Sequence, residues 1–439
     1  MANDTIIALS TPPGPAALAL LRLSGPQSHA IIQNHINSPF APQHASFARF
    51  RSGTEIIDEV VATFWKSPAS YTGEDMVEIS CHGNMLIVER ILQTLCQSGA
   101  RPADPGEFTQ RAFLNGKMDL TQAEAVMDLI HARSERALRA AHALQNGRLG
   151  QILQEERENL LQVLSHLEAF IDFPDEDITP DVSRGFIGKI KQTRLRIQNL
   201  LASAREGKWI RSGLSVVITG APNSGKSSLL NALLERDRAI VSPIAGTTRD
   251  TIEEVIFLEG IAIRLTDSAG LRENPDEIEK LGIERTRQAL NEADLILFLI
   301  DGSDPSGNFT APDFPEKIPL LACLTKSDLP RKTKAGGLAL SARSGTGLAE
   351  LKSEIVKILR LNESSAGLDH VAINSRHESL LREAVENLDR ALEMTNQKSP
   401  PELISSDLRQ ALNACGKIVG EATNEDMLDR LFKNFCIGK

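Results

Sequence analysis

LSVVITGAPNSGKSSLLNALL, residues 214–234, decides how the rest of the chain reads. An apolar, β-branched run ends at Gly220, a Gly-rich turn follows, and SSLLNALL continues with the character of a helix. GAPNSGKS (220–227) fits G-x-x-x-x-G-K-[ST] between a strand and a helix, the setting that a phosphate-binding loop requires. Asn223, Ser224, Gly225 and Ser228 belong to the turn and helix start whose backbone N–H groups wrap phosphates. Lys226 is placed to reach the β/γ oxygens, and the Ser227 hydroxyl suits magnesium.

Further stretches follow, each at the end of an apolar run. IAGTTRD (244–250) offers Thr248 as the switch threonine that closes on magnesium and the γ-phosphate. Asp267-Ser268-Ala269-Gly270 follows IRLT, so Asp267 can hold magnesium through water and the Gly270 N–H can sense the γ-phosphate. TKSD (325–328) follows PLLACL; Asp328 can accept guanine's ring N–H and exocyclic amine, a donor pair that adenine lacks, while Lys326 lies over the base. SAR (341–343) closes the next run, with Ser341 and Arg343 flanking an Ala342 N–H placed for the guanine carbonyl. Together they imply a GTP-binding domain. Two positions depart from the usual pattern. Thr325 stands where asparagine is usual, so an amide tying this turn to the P-loop is expected to be lost, weakening affinity but leaving selectivity to Asp328. Ras-like enzymes orient the attacking water with a glutamine after the switch glycine; here the residue is Leu271, which has no hydrogen-bonding group.

Around this centre the texture changes three times. Residues 1–118 mix short strand-like runs with Pro/Gly turns and one helical stretch, NMLIVERILQTLCQSG, as an α+β domain does. Residues 119–210 turn helical, with a capping-box pattern at Thr121 and Glu124 and a stripe of Leu153, Leu160, Leu164, Leu167 and Ile171. Residues 211–365 alternate strand and helix, including a hairpin turning at Glu259-Gly260, as in a doubly wound, mostly parallel sheet. In residues 366–439 helical texture returns, marked by Leu381, Ala384, Leu388 and Leu392, then by Leu428, Leu431, Phe432 and Phe435. The expected fold is a multidomain α/β protein: an α+β N-terminal domain, an all-α helical domain in two parts, and a P-loop GTPase domain inserted between them. Three separate helical clusters are the alternative.

Composition bounds the partners. The 439 residues exceed one ordinary core, and 41% hydrophobic with 24% charged residues is globular. A net charge of −10 argues against a general nucleic-acid coat and leaves room for a local basic groove. MANDTIIALSTPPG lacks the basic and apolar stretches of a signal peptide, and no apolar run is long enough to cross a membrane as a helix. The five cysteines contain no C-x-x-C pair, which points to reduced thiols in a cytoplasmic protein.

GAPNSGKSSLLN, IAGTTRD and DSAGLRE resemble the translation-factor-related GTPases, including ribosome-assembly enzymes of the Era and Der type. FLNGKMDLTQAEAVMDLI (113–130), the terminal FCIGK (435–439) and the inserted GTPase domain narrow the resemblance to the MnmE (TrmE) family of bacterial tRNA-modification GTPases, end to end. An Era or Der type should carry a basic KH domain or a second GTPase domain; no second P-loop occurs in the sequence. A pure regulatory switch is a third class and predicts no folate binding.

The resemblance implies an N-terminal domain that dimerises and binds 5-formyl- or methylene-tetrahydrofolate. It also implies an FAD-containing MnmG-type partner forming a heterotetramer, and addition of a carboxymethylaminomethyl-type group to carbon five of the wobble uridine of certain tRNAs. Its folate residues fall on Arg22 in LRLSG, Glu78 in VEISCHGN, Lys117 in FLNGK and the final Lys439. Taken alone, Arg22, Glu78 and Lys117 are surface charges. Cys436 is implied near the folate site, although by itself it reads as a small core residue; His82 beside Cys81 reads as structural. For hydrolysis the resemblance assigns water positioning to Glu279 and potassium binding to Asn223 with the Ser242–Thr247 loop, through Ser242, Ile244 and Thr247.

Overall fold

The computed structural model describes residues 4–37, 41–172, 184–237, 253–258, 260–267, 289–304, 315, 317–359, 372–421, 425–433 and 435–438. Contacts divide the chain into two compact units. Unit 1 comprises Met1–Met127, Leu144–Arg194 and Leu380–Lys439; unit 2 comprises Asp128–Ala143 and Leu195–Ser379.

Unit 1 is built on β1 (Thr5–Leu9), β2 (Ala16–Ser24), β3 (Ala45–Ser52), β4 (Glu55–Trp65), β5 (Met76–Gly83) and β6 (Ala100–Pro102). They form one sheet in the order β3-β4-β5-β2-β1-β6, antiparallel except between β1 and β6. The period-2 pattern sorts the residues. Leu21, Leu23, Val77 and Ile79 point into a core with Ile31, Ile32, Val88, Ile91 and Leu95 from the helices Ser28–Gln33 and Met85–Gln97. The second helix begins where the Asn84 side chain accepts the Leu86 N–H. Arg22 and Glu78, pairing across β2 and β5, fall on the opposite face, beside a small cluster of Ile6, Ala8, Ala103, Phe108 and Tyr71. Gly83 is required where these strands close up, because a β-carbon there would sit 2.3 Å from Ala16 O.

Helix Leu120–His131 is capped two residues earlier than the sequence pattern suggested. Asp119 Oδ1 accepts the Gln122 N–H, and Gln122 Oε1 accepts the Asp119 N–H, so the reciprocal box is Asp119–Gln122 and not Thr121–Glu124. Asp119 wins because its carboxylate is the stronger acceptor at the positive helix end. Helix Arg148–Asp172 buries Leu149, Leu153, Leu160, Val163, Leu164 and Leu167, and it packs on helix Pro401–Val419, which the sequence signals did not separate. Glu156, fully buried on the same stripe, accepts the Thr193 hydroxyl at 2.6 Å. Leu428, Phe432 and Phe435 close on Leu120 and Ala123.

Unit 2 carries β7 (Leu214–Gly220), β8 (Glu253–Leu258), β9 (Ile261–Asp267), β10 (Leu295–Asp301), β11 (Leu320–Thr325) and β12 (Leu338–Ala339). The sheet order is β12-β11-β10-β7-β9-β8, with every pair parallel except the β8–β9 hairpin. Residue Glu259 of the expected turn lies outside the described residues, while Gly260 supplies a φ of +72°. Both faces of β7 are covered. Leu214, Val216 and Ile218 join Leu229 and Leu233 of helix Lys226–Asp237 and Leu351 and Ile355 of helix Leu348–Ile358. Val217 instead packs with Leu290, Ala293 and Ile296. This is a doubly wound, mostly parallel sheet, and the whole is a multidomain α/β protein.

Candidate functional site

Strand order places the site of unit 2. From β7 the chain goes to β8 and β9 on one side and then crosses to β10 on the other, so the end of β7 lies at the switch point where ligands of such sheets bind. Gly220 pairs with Leu299 there, and Asp301 with Thr325, so three carboxyl ends converge. The P-loop turns through Asn223 at φ +62° and Gly225 at φ +93°, conformations that aim successive N–H groups inward. Lys226 is buried, and its ammonium donates to Ala221 O at 2.9 Å and Gly220 O at 3.2 Å. Asn223, Ser227 and Ser228 are exposed on the loop and the first helical turn. Ser224 Oγ is buried without a hydrogen-bond partner among the described residues.

The turn expected to read the base follows β11. Asp328 Oδ1 accepts the Ser341 hydroxyl at 2.7 Å. That hydrogen bond, with the Arg343 charge behind it, holds the carboxyl below its usual range, so it is an acceptor at neutral pH. Lys326, at φ +58°, donates to Asp301 Oδ2 at 2.6 Å. Burial pushes the Asp301 carboxyl up, but hydrogen bonds from Lys326 and Ser303 outweigh it and the net shift is downward. Thr325 corrects the expectation of a lost tie: its hydroxyl donates to Ser224 O at 2.7 Å, so the turn remains fastened to the P-loop. Threonine is short, yet β11 brings its Oγ1 close enough to do what a longer amide does elsewhere.

Asp267 ends β9 opposite Ile218. Ser242, Ile244, Thr247, Thr248, Gly270, Leu271 and Glu279 lie outside the described residues, so the switch, water-positioning and potassium assignments have no geometry here.

In unit 1 the sheet brings Arg22 and Glu78 together. Arg22 Nε donates to Glu78 Oε1 at 2.9 Å, and Trp65 Nε1 donates to Oε2 at 3.2 Å. The Tyr71 ring stacks 5.3 Å from the Arg22 guanidinium carbon. Arg22 Nη1 is buried and unpartnered among the described residues. Lys117 donates to Pro68 O at 2.9 Å, so it meets the β4–β5 connection that also carries Tyr71. Trp65 and Tyr71 escaped the sequence reading; the signal available was an aromatic residue diagonal to Glu78 once β4 and β5 are registered. The tail reaches the same domain: Cys436 O accepts the Gly106 N–H, and Gly438 O accepts the Ser10 hydroxyl. Cys436 is exposed and is not the core residue its neighbours suggested, whereas Lys439 lies outside the described residues. Cys81 is buried, and burial with the nearby Asp58 charge pushes its thiol up to about 11. His82 donates through both its backbone N–H and ring Nδ1 to the Asp58 carboxylate, each at 2.8 Å, tying the end of β5 to β4.

A phosphate-loop turn at the switch point of a doubly wound sheet makes unit 2 the nucleotide-binding unit of a P-loop GTPase. The surrounding chain says which kind. Residues 120–436 match the family described as the MnmE helical domain, and residues 5–117 match the GTP-binding protein TrmE N-terminus. The chain is similar to proteins named tRNA modification GTPase MnmE from three bacteria. Akkermansia muciniphila's is 44% identical over 447 residues, covering 99% of each chain. That of Opitutus terrae is 45% identical over 449 residues, covering 100% of this chain and 99% of the relative. The Aquifex aeolicus protein is 43% identical and covers 100% of both. The chain belongs to the MnmE (TrmE) family.

Proposed function

We propose that the chain is a GTP-hydrolysing enzyme that modifies the wobble uridine of certain tRNAs in the cytoplasm. It works as a homodimer with an FAD-containing MnmG-type partner, in a heterotetramer, and adds a carboxymethylaminomethyl-type group to carbon five using a tetrahydrofolate one-carbon donor. The observation that carries this reading is similarity along the full length to tRNA modification GTPases, joined to a guanine-reading turn. Residues 1–118 form the folate and dimerisation domain, 119–210 with 366–439 the helical domain, and 211–365 the GTPase domain.

Each group has a task. Asp328 selects guanine, Lys326 covers the base, and Ala342 N–H takes the guanine carbonyl. Lys226 and the loop amides hold the phosphates. The oxygen donors Ser227, Thr248 and Asp267 suit magnesium, which when bound neutralises phosphate charge. Glu279 orients the water that Leu271 cannot. Asn223, exposed at the loop tip, offers an amide oxygen toward potassium together with Ser242, Ile244 and Thr247; that ion supplies the positive charge an arginine finger gives elsewhere. Arg22 fits a folate because its Nη1, buried and unpartnered among the described residues, needs an acceptor of the kind a pterin or glutamyl group provides. Glu78 keeps lone pairs for the ligand beside its two donors, Lys117 and Lys439 attract the glutamyl carboxylates, and Cys436, which is exposed, is assigned to the same site.

Two measurements test this. GTP turnover is expected to be stimulated by potassium far more than by sodium. Glu279→Ala should lower it by roughly 10²-fold, the scale of a positioned acid/base or water-orienting group, and Asn223→Ala should remove the potassium response. Equal turnover in both salts with an active Glu279→Ala enzyme rejects the hydrolytic part. Calorimetry with 5-formyltetrahydrofolate should show binding that Arg22→Ala weakens by roughly 1–3 kcal/mol while GTP turnover is kept. Absence of binding rejects the folate part.

A further inference from the structure

Tyr71 lies in the connection between β4 and β5, residues 66–75, and that connection is tied down on both sides of it. Ser67 Oγ donates to Gly73 O at 2.8 Å, and Ser70 Oγ to Glu74 O at 2.6 Å. Thr72 O accepts the Asn115 amide at 2.8 Å, and the Glu74 carboxylate accepts the Ser24 hydroxyl at 2.9 Å and the Arg111 guanidinium at 3.2 Å. The Tyr71 side chain is held as well. Its hydroxyl lies 2.8 Å from Thr109 Oγ1, and Thr109 is fully buried on helix Glu107–Leu114. The ring packs against Ile6, Ala8, Ala103 and Phe108. A tyrosine has two side-chain torsions, so a fixed backbone, a packed ring and a tethered hydroxyl leave it one position.

The guanidinium over this ring is held less completely. Arg22 Nε donates to Glu78 Oε1 at 2.9 Å, its Cζ lies 5.3 Å from the Tyr71 ring centroid, and Nη1 is buried without a partner among the described residues. One hydrogen bond at Nε is compatible with many tilts of a planar guanidinium, and an aromatic ring beside it narrows them. Burial pushes the Tyr71 phenol up, against the Thr109 hydrogen bond and the Arg22 charge, so near neutral pH the cation meets an uncharged ring. The attraction comes from the ring and not from a phenolate.

We propose that Tyr71 is a positioning residue for the ligand site of unit 1: its ring sets the tilt of the Arg22 guanidinium, and so the direction in which Nη1 offers its protons. Thr109 in turn holds Tyr71 from inside the domain. The inference rests on the reading of Arg22 as a folate-binding residue and deepens it. Tyr71 contributes to affinity through Arg22 alone, so removing the guanidinium removes the value of the ring.

The test is a double-mutant cycle on the full-length chain, read by calorimetry with 5-formyltetrahydrofolate. Tyr71→Leu keeps an apolar body against the cluster and removes the ring. It is expected to weaken binding by about 3- to 30-fold, the value of a cation held over an aromatic face. In the Arg22→Ala background the same change should cost less than about twofold. Tyr71→Phe keeps the ring and should stay within about fivefold of the parent, and Thr109→Val, which removes the same hydrogen bond, should match it within about twofold. A merely structural role would lower the melting temperature and weaken binding equally in both backgrounds. Equal losses in the two backgrounds therefore overturn the inference, and so does a Tyr71→Leu variant that binds like the parent. Should that variant lose its cooperative melt, Tyr71→Met carries the same cycle. Arg22→Ala alone separates the two levels. If it weakens binding while Tyr71→Leu adds its full loss on top, the positioning role fails by itself. If the parent does not bind the folate, or Arg22→Ala binds it unchanged, the reading of the site fails and the inference with it.

Discussion

Asp328 and Glu78 are both carboxylates proposed to read a heterocycle, and they are held in opposite ways. Asp328 stands at a strand end, exposed, with a hydrogen bond from Ser341 and the charge of Arg343 behind it. Glu78 stands on a strand face with one oxygen taken by Arg22 and the other by Trp65. The first is poised to meet a ligand directly. The second already has one donor on each oxygen, so a ligand meets only the lone pairs those bonds leave. The lesson concerns leverage: a single change at the strand end should cost far more binding than a single change on the paired face.

Asp328→Asn is the largest expected effect. It removes a charge and turns one acceptor into a donor facing guanine's donors. GDP affinity should fall by about 10²–10³-fold, as for losing two charge-assisted hydrogen bonds, while xanthosine diphosphate, whose base presents an acceptor there, should gain. GDP binding retained within about twofold would break the comparison at its strong end.

The face of unit 1 is anchored by a different kind of ionic group, and pH separates the two regions next. Arg111 is almost fully buried and donates to Asp4, Glu74 and Glu107, while Arg101 bridges Asp4 and Glu107. Burial pushes the Asp4 and Glu107 carboxyls up, but the arginine hydrogen bonds outweigh it and both lie below their usual range. Carboxyls depressed in the folded state bind fewer protons there than in the unfolded chain. Their stabilisation is therefore complete above the unfolded values, near about 4, and is lost as pH falls through the folded ones. Unit 1 should lose melting temperature on acidification in that window, and Arg111→Met should flatten the dependence. The chain has two tryptophans, Trp65 and Trp209, so fluorescence of a Trp209→Phe variant reports on unit 1. A melting temperature independent of pH between about 5 and 3 would show that this network contributes nothing.

What could be read beforehand divides along the same line. The P-loop, Asp328 and Ser341 were legible because each belongs to a short contiguous stretch at the end of an apolar run, and the doubly wound sheet followed from those runs. The tie from Thr325 to Ser224 was not, since it spans 101 positions and depends on how far β11 extends. Trp65 and Tyr71 were missed because Trp65 meets Glu78 across strands and Tyr71 meets Arg22 from a loop, and register is invisible until strands are paired. Glu156 sat in full view between Leu153 and Leu160, where helical period puts it on the core face; its partner Thr193 lies on another helix. The capping box slipped because Thr-x-x-Glu and Asp-x-x-Gln overlap in DLTQAE and the pattern alone does not rank them.

The smallest effect lies at Trp65. Phe in its place keeps an aromatic body against the sheet and removes the Nε1–H that Glu78 Oε2 accepts at 3.2 Å. That contact is long for a bond to a carboxylate, and Glu78 keeps Arg22 at 2.9 Å. The ion pair is partly exposed, with side chains 15% and 22% accessible, so water can reach the abandoned oxygen and soften the loss. Trp65→Phe should therefore destabilise unit 1 by about 1 kcal/mol and weaken 5-formyltetrahydrofolate by no more than about fivefold, well short of Arg22→Ala. The two variants, compared by thermal melting and by calorimetry, rank the donors on Glu78. If Trp65→Phe abolished folate binding while Arg22→Ala spared it, the carboxylate would be oriented by the indole and not by the guanidinium, and the paired face would be as vulnerable to one substitution as the strand end.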